Sequence, residues 1–183
     1  MSVRFETKRL VIRSFEPRDA EPWLEMVSDP DFGRFVPPPP PTTPETFQRM
    51  IERRHAVERE RGYAMWAVDL KEGGVFVGQC GFYPAEGTGR PEVELAYHFD
   101  KASWNRGYAT EAVRAALARG LGPVGLDRVI ALIVPEHIAS CRVAEKAGMR
   151  FEGCITAYDI EGLKQYAAER EWWSAASPPD RRR

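Results

Sequence analysis

Trp104-Asn105-Arg106-Gly107-Tyr108-Ala109-Thr110-Glu111-Ala112 is the stretch around which the rest of this chain is organised. Apolar residues recur at Ala109, Ala112, Val113, Ala116 and Leu117. That is the i, i+3, i+4, i+7, i+8 spacing of one buried helix face. The helix is expected to stop near Gly120-Leu121-Gly122-Pro123. Just before it, Val93 to Phe99 reads as a strand, with β-branched and aromatic residues in partial alternation. The stretch is therefore a strand, a short loop with one glycine, and a helix N-terminus. Such a terminus exposes unpaired N–H groups and the positive end of the helix dipole. Gly107 lets a ligand approach the backbone closely, and Arg106 adds a positive charge. The arrangement suits a pyrophosphate, and it equally suits an ordinary strand-to-helix turn.

Working outward, Arg128 to Val134 is nearly all apolar, as in a strand buried on both faces. With the strand and helix before it, it forms a βαβ unit with a right-handed crossover. Upstream, Tyr63 to Leu70 and Val75 to Tyr83 read as strands around the turn Lys71-Glu72-Gly73-Gly74, so three consecutive strands make an antiparallel meander. Arg9 to Phe15 reads as the first strand. Glu16-Pro17-Arg18-Asp19 opens a helix with apolar positions Ala20, Trp23, Leu24 and Val27, and Thr43-Pro44-Glu45 opens a second that runs to about Arg61 and ends at Gly62. Between them, Pro37 to Pro41 is a stiff connector or a wall on the substrate side. Downstream, Ser140 to Ala147 is a short helix with Ser140 as its cap and Gly148 as its terminator. Phe151 to Asp159 and Gln165 to Trp173 are final strands around Glu161-Gly162. The tail 174–183 is expected to be disordered.

The chain has 183 residues, 43% hydrophobic and 29% charged, with a formal net charge of −1. This is the composition of one globular domain and argues against nucleic-acid binding through bulk charge. Cys80, Cys141 and Cys154 are odd in number and widely spaced, which suggests free thiols in a reducing, cytoplasmic setting and no metal framework. Met1 to Arg13 has no long apolar run, so no signal peptide is expected, and no stretch is long and apolar enough to span a membrane.

The loop Arg106-Gly107-x-Ala109-Thr110-Glu111-Ala112 resembles the acetyl-CoA-binding loop of the GNAT acetyltransferase superfamily, with Trp104 where Gln or Arg is usual. The run Gly-Tyr-Ala-Thr-Glu-Ala is similar to the branch containing ribosomal-protein N-terminal alanine acetyltransferases. A second match lies downstream. Val134-Pro135-Glu136-His137-Ile138-Ala139-Ser140, then Glu145-Lys146-Ala147-Gly148-Met149, resembles the family pattern Pro-Glu-Asn-x-x-Ser, then Glu-Lys-x-Gly-Met. His137 stands where the family's Asn bonds the pantetheine arm. The resemblance implies a single GNAT domain over 8–173 with an α+β fold. That fold has a central, mostly antiparallel twisted sheet of about seven strands, a splayed parallel pair within it, and about four flanking helices. It also implies acetyl-CoA as cosubstrate, bound by Tyr97, His98, Phe99, Arg106, Gly107, Tyr108, Ala109, Thr110 and His137. No metal is implied. The partner is an amine acceptor, either a protein N-terminus or a small molecule, with no nucleic acid or membrane partner; the chain is expected as a monomer or homodimer.

Acetyl transfer to an amine needs a base, since only the neutral amine attacks. Alternation puts Glu94, Ala96 and His98 on one face of their strand and Val93, Leu95, Tyr97 and Phe99 on the other. Glu94, partly desolvated, is the chosen base, acting through water; the alternative for it is a strand-end ion pair. The Glu94-Leu95-Ala96-Tyr97 run matches a Glu-x-x-Tyr of the resembled branch. His98 is the rival base. Many GNAT enzymes carry a helix Tyr beside the leaving thiolate; here that position is Ala144. Ser140 matches the branch's serine and is expected to bond the sulfur. Arg142 and Lys146 are read as a solvated helix face, with contact to the adenosine 3′-phosphate as the alternative. The second functional class is a non-catalytic acyl-CoA-binding or sensing module of the same fold.

Overall fold

The computed structural model describes residues 3–32, 34–35, 43–85 and 87–174. The Pro37–Pro41 run and residues 175–183 of the tail lie outside this set. The strands are β1 (Arg4–Glu6), β2 (Leu10–Arg13), β3 (Met65–Leu70), β4 (Phe76–Ala85), β5 (Glu92–Phe99), β6 (Arg128–Ile133), β7 (Arg150–Ala157) and β8 (Ile160–Glu169). They form one sheet in the order β1-β2-β3-β4-β5-β6-β8-β7. Every pairing is antiparallel except β5 with β6. The helices are α1 (Ala20–Ser28), α2 (Pro44–Arg61), α3 (Tyr108–Leu121) and α4 (Ile138–Lys146), with short 3₁₀ turns at Pro17–Asp19 and Lys101–Ser103. The fold class is the expected one, with one more strand. β1 has three residues, too few to show a period, and it exists only because it pairs with β2.

The two faces of the sheet carry separate cores. Trp66, Val68, Cys80, Phe82, Leu95 and Phe99 meet Ala112, Val113, Ala116 and Leu117 of α3 on one face. Phe15, Ala67 and Phe76 meet Trp23 and Met26 of α1 and Phe47 and Ile51 of α2 on the other. In α1, Met26 is buried and Leu24 is 43% exposed, opposite to the expected assignment of Leu24 to the inner face. The helix starts only after the 3₁₀ turn, and the turn sets which face meets Phe15. α3 ends at Leu121 with Gly122 as its cap, inside the expected Gly120-Leu121-Gly122-Pro123 stretch, and its last turn contains Gly120. A Cβ there would come within 2.8 Å of the Phe82 ring, so this glycine lets the helix settle onto the sheet.

Arg13 of β2 staples the second face, the one covered by α1 and α2. Its Nε and Nη2 donate to Asp69 of β3 at 2.7 and 3.0 Å, and its Nη1 and Nη2 donate to Asp19 at 2.8 and 2.7 Å. All three side chains are buried. Burial works against the charges, and the paired geometry holds Arg13 firmly protonated.

Two local expectations are corrected at the C-terminal end. The last hairpin turns at Tyr158-Asp159, both at positive φ (53° and 60°), and Gly162 sits inside β8. The final strand is thus Ile160–Glu169, and Trp172 and Trp173 follow it. Glycine marks a turn in most sequences, but here register against β6 fixes β8, with Ile130 opposite Ala167, and draws the turn upstream. The cap of α4 is His137, and Ser140 lies one turn inside.

Candidate active site

β5 and β6 part almost at once. β5 pairs with β4 along its whole length, whereas its only pairing with β6 is Glu94 with Ile130. Beyond Glu94 the β6-facing backbone of Leu95 to Phe99 therefore has no ladder partner. Unsatisfied N–H and C=O groups in such a gap suit an extended, amide-bearing ligand. α3 follows β5 and α4 follows β6, so both helix N-termini stand at the open end.

Two cavities meet through this gap. The larger, about 640 Å³, lies on the α2 side and is lined by Glu94, Tyr83, Tyr158, Arg54, Gln79 and His98 among others. The smaller, about 470 Å³, lies on the α3 and α4 side. It gathers Tyr97, His98, Phe99, Gly107, Tyr108, Ala109, Thr110 and His137 from the expected cosubstrate residues, along with Arg142 and Lys146. Both cavities share Tyr97, His98, His137, Ser140 and Phe35. Arg106 is the exception: its guanidinium lies over the Tyr108 ring, 5.2 Å from the centroid, and it does not line the cavity.

The loop is held from a distance. Gly107 is the N-cap of α3 at φ 80° and supplies no side-chain cap, so the first N–H groups of the helix are left to a ligand. Glu111 in the first turn receives Thr7 Oγ1 at 2.5 Å and the Arg9 backbone N–H at 2.8 Å. Arg9 Nε pairs with Glu111 at 2.7 Å, and Arg9 Nη1 donates to the Arg106 carbonyl at 2.9 Å. Burial works against the ionised Glu111, and these bonds outweigh it, holding the carboxyl below its ordinary range. Sequence reading passed over Thr7 and Arg9, because they lie about a hundred positions away from the loop they fasten. Trp104 Nε1 donates to the Phe99 carbonyl at 2.9 Å, tying the loop to the end of β5.

Glu94 is 4% exposed. The Tyr158 hydroxyl donates to its Oε2 at 2.6 Å, and Tyr83, directly across the ladder, and the Leu132 N–H also hydrogen-bond the carboxylate. Burial pushes the carboxyl above the ordinary range, against all three bonds. Tyr158 was missed by sequence reading: its place on a tight turn has no signature, and a tyrosine at positive φ is a strained choice.

His98 is arranged differently. Arg54 has only donors, so its bond to Gln79 Oε1 (3.0 Å) orients the amide and turns Nε2 toward His98 Nδ1 at 2.9 Å. His98 Nδ1 is therefore an acceptor and the ring proton sits on Nε2. Burial first, then the charge of Arg54, push His98 down to about 4. Across the gap, the Tyr97 hydroxyl donates to the Ser140 carbonyl at 2.9 Å and accepts from Ser140 Oγ at 3.0 Å. A tyrosine hydroxyl thus stands beside α4, delivered by the strand and not by the helix. His137 stacks on Phe35, with centroids 4.5 Å apart and planes at 14°. Among the described residues no cluster of His, Cys, Asp and Glu has the make-up of a metal site.

Comparison with known proteins agrees with this architecture. The Acetyltransferase (GNAT) domain family matches residues 9–150. YnaD of Bacillus subtilis, an uncharacterized N-acetyltransferase, is 32% identical over 167 residues, covering 91% of this chain and 90% of the relative. A GNAT-family acetyltransferase structure from Bacillus anthracis is 30% identical with a TM-score of 0.74, covering 92% of this chain and 99% of that one. RimL, the ribosomal L7/L12 α-N-protein acetyltransferase solved with coenzyme A, shares the fold at 15% identity, TM-score 0.73, covering 91% of this chain and 98% of RimL. With the splayed strands, the uncapped α3 and a family match over most of its length, this chain belongs to the GNAT acetyltransferase family.

Proposed function

We propose that the chain moves an acetyl group from acetyl-CoA to a primary amine by direct attack in a ternary complex. The acceptor is a protein N-terminal α-amine or a small-molecule amine. The observation that carries this reading is the placement of one buried carboxylate, Glu94, at the point where β5 and β6 part. The uncapped N-terminus of α3 supports binding of the pyrophosphate there, and the unpaired edge of β5 supports binding of the pantetheine arm. Bound acetyl-CoA supplies the thioester whose C–S bond breaks as the C–N bond forms.

Glu94 takes the amine proton through a water. Its raised affinity for protons brings it closer to the amine it must deprotonate. Tyr158 and Tyr83 hold the carboxylate in one orientation. His98, with Nδ1 occupied and little affinity for protons, serves as a neutral Nε2–H donor in place of a base. The Ser140 hydroxyl, on giving up its bond to the Tyr97 hydroxyl, donates a hydrogen bond to the departing sulfur. Residues 8–173 act as one domain, supported by a single sheet running from Arg4 to Glu169. The three free cysteines support a cytoplasmic location.

Thiol release from acetyl-CoA, measured over a panel of amines and peptides, tests the reading. Turnover with at least one class is expected. A chain whose melting temperature rises with acetyl-CoA but that acetylates nothing on the panel would contradict it.

A further inference from the structure

The α2 side of the cleft holds a guanidinium that the chemistry above uses only through its bond to Gln79 and its charge on His98. Arg54 reaches the cavity wall from α2, with its guanidinium over Phe15 (4.3 Å to the centroid) and beside Trp23 (5.3 Å). Nη2 is bonded to Gln79; Nη1 is shut off from solvent and has no hydrogen-bond partner among the described residues. Among them no carboxylate acts on this cation: burial alone pushes it down, to about 10. Val36 to Thr42, the segment that precedes α2 in the chain, contains no acidic residue. Arg54 therefore keeps its positive charge at neutral pH, with no carboxylate beside it among the described residues. The other orphaned guanidinium nitrogen, Arg119 Nε, belongs to a side chain packed over Phe5 and Trp66, outside both cavities.

An unpaired buried cation is costly, and the cost falls when an anion enters beside it. The ladder says where that anion would lie. Gln79 is opposite His98 and Tyr83 is opposite Glu94, on the same two strands and the same face. Four residues at ~3.3 Å separate the pairs by ~13 Å. One wall thus carries a carboxylate at one end and a cation at the other, the complement of a short zwitterion.

We propose that Arg54 binds a carboxylate of the acceptor, so that the substrate is a small amino acid with its amine and carboxylate on one short chain. The proposal rests on the acetyltransferase reading of the same cleft. The probes are glycine, 3-aminopropanoate, 4-aminobutanoate, 5-aminopentanoate and glutamate, each paired with its carboxamide, and a neutral hexapeptide beginning with alanine. For the parent chain at least one carboxylate should exceed its carboxamide in kcat/KM. In Arg54→Met, which keeps the contacts with Phe15 and Trp23, that preference should shrink by about 10- to 100-fold, the worth of a hydrogen bond to a charged group. Arg54→Lys should recover part of it. The paired ratio does not depend on how much of a variant folds. Binding of the same pairs, read by thermal shift with coenzyme A present, separates the two claims. Carboxylate-dependent binding that Arg54→Met abolishes, without turnover, upholds the anion site and overturns the acetyltransferase reading. Equal kcat/KM for carboxylate and carboxamide, a ratio unchanged in Arg54→Met, or a preference for the hexapeptide would overturn the proposal.

Discussion

Glu94→Gln separates catalysis from stability in one side chain. Glutamine keeps the size and the hydrogen-bonding contacts with Tyr158, Tyr83 and Leu132 but cannot accept a proton. Turnover near pH 7 should fall by about 10²–10⁴-fold, the usual worth of a general base, with acetyl-CoA binding unchanged. Much of the loss should return at high pH, where the free amine needs no base. In the parent, the acid limb of kcat/KM should lie above the ordinary carboxylate range, because burial raises Glu94. Stability should move in the opposite direction. Between the ordinary value of 4.5 and the raised folded value, the folded state keeps a proton that the unfolded chain has lost. Stability therefore falls with rising pH across that window, and the deficit persists above it. The variant should melt higher than the parent at pH 8, and the two should converge near pH 4. The measurements are pH-resolved initial rates with a verified acceptor and melting curves at both pH values. Near-normal turnover of Glu94→Gln at pH 7 would refute the reasoning and leave Glu94 a structural role.

Three further outcomes are expected. Gly107→Asp should abolish the rise in melting temperature on adding acetyl-CoA, since it sets a negative charge in the proposed pyrophosphate cradle; Gly107→Ala, which shares the strain of φ 80°, should keep part of the rise, and an equal response in both would refute the cradle. His137→Asn should bind acetyl-CoA at least as tightly as the parent by calorimetry; a loss of more than about tenfold, roughly 1.4 kcal/mol, would assign binding energy to the stack on Phe35. Arg13→Met should cost about 3–5 kcal/mol in urea unfolding, because Asp19 and Asp69 are left buried together without their cation, and a change below about 1 kcal/mol would mean that water reaches them.

The central helix, the meander, the parallel pair and the Thr43 cap of α2 follow from local patterns, and those patterns are legible in one dimension. Alternation alone placed Glu94 and His98 on the face opposite Leu95 and Phe99, which is where they lie. A glycine misled at one place: Gly162 gave way to a turn at Tyr158. The roles of Thr7, Arg9, Tyr158 and Arg54 were invisible because each depends on a partner far away in the chain. The same holds for His98. Its residue type suggests a base, yet Arg54, twenty-five positions before Gln79, orients the amide that occupies Nδ1. Sequence determines which residues are apolar, charged or able to turn, and these set the elements. Protonation, tautomer and uncompensated charge depend on distance and on exclusion of water, and only the packed tertiary structure supplies both.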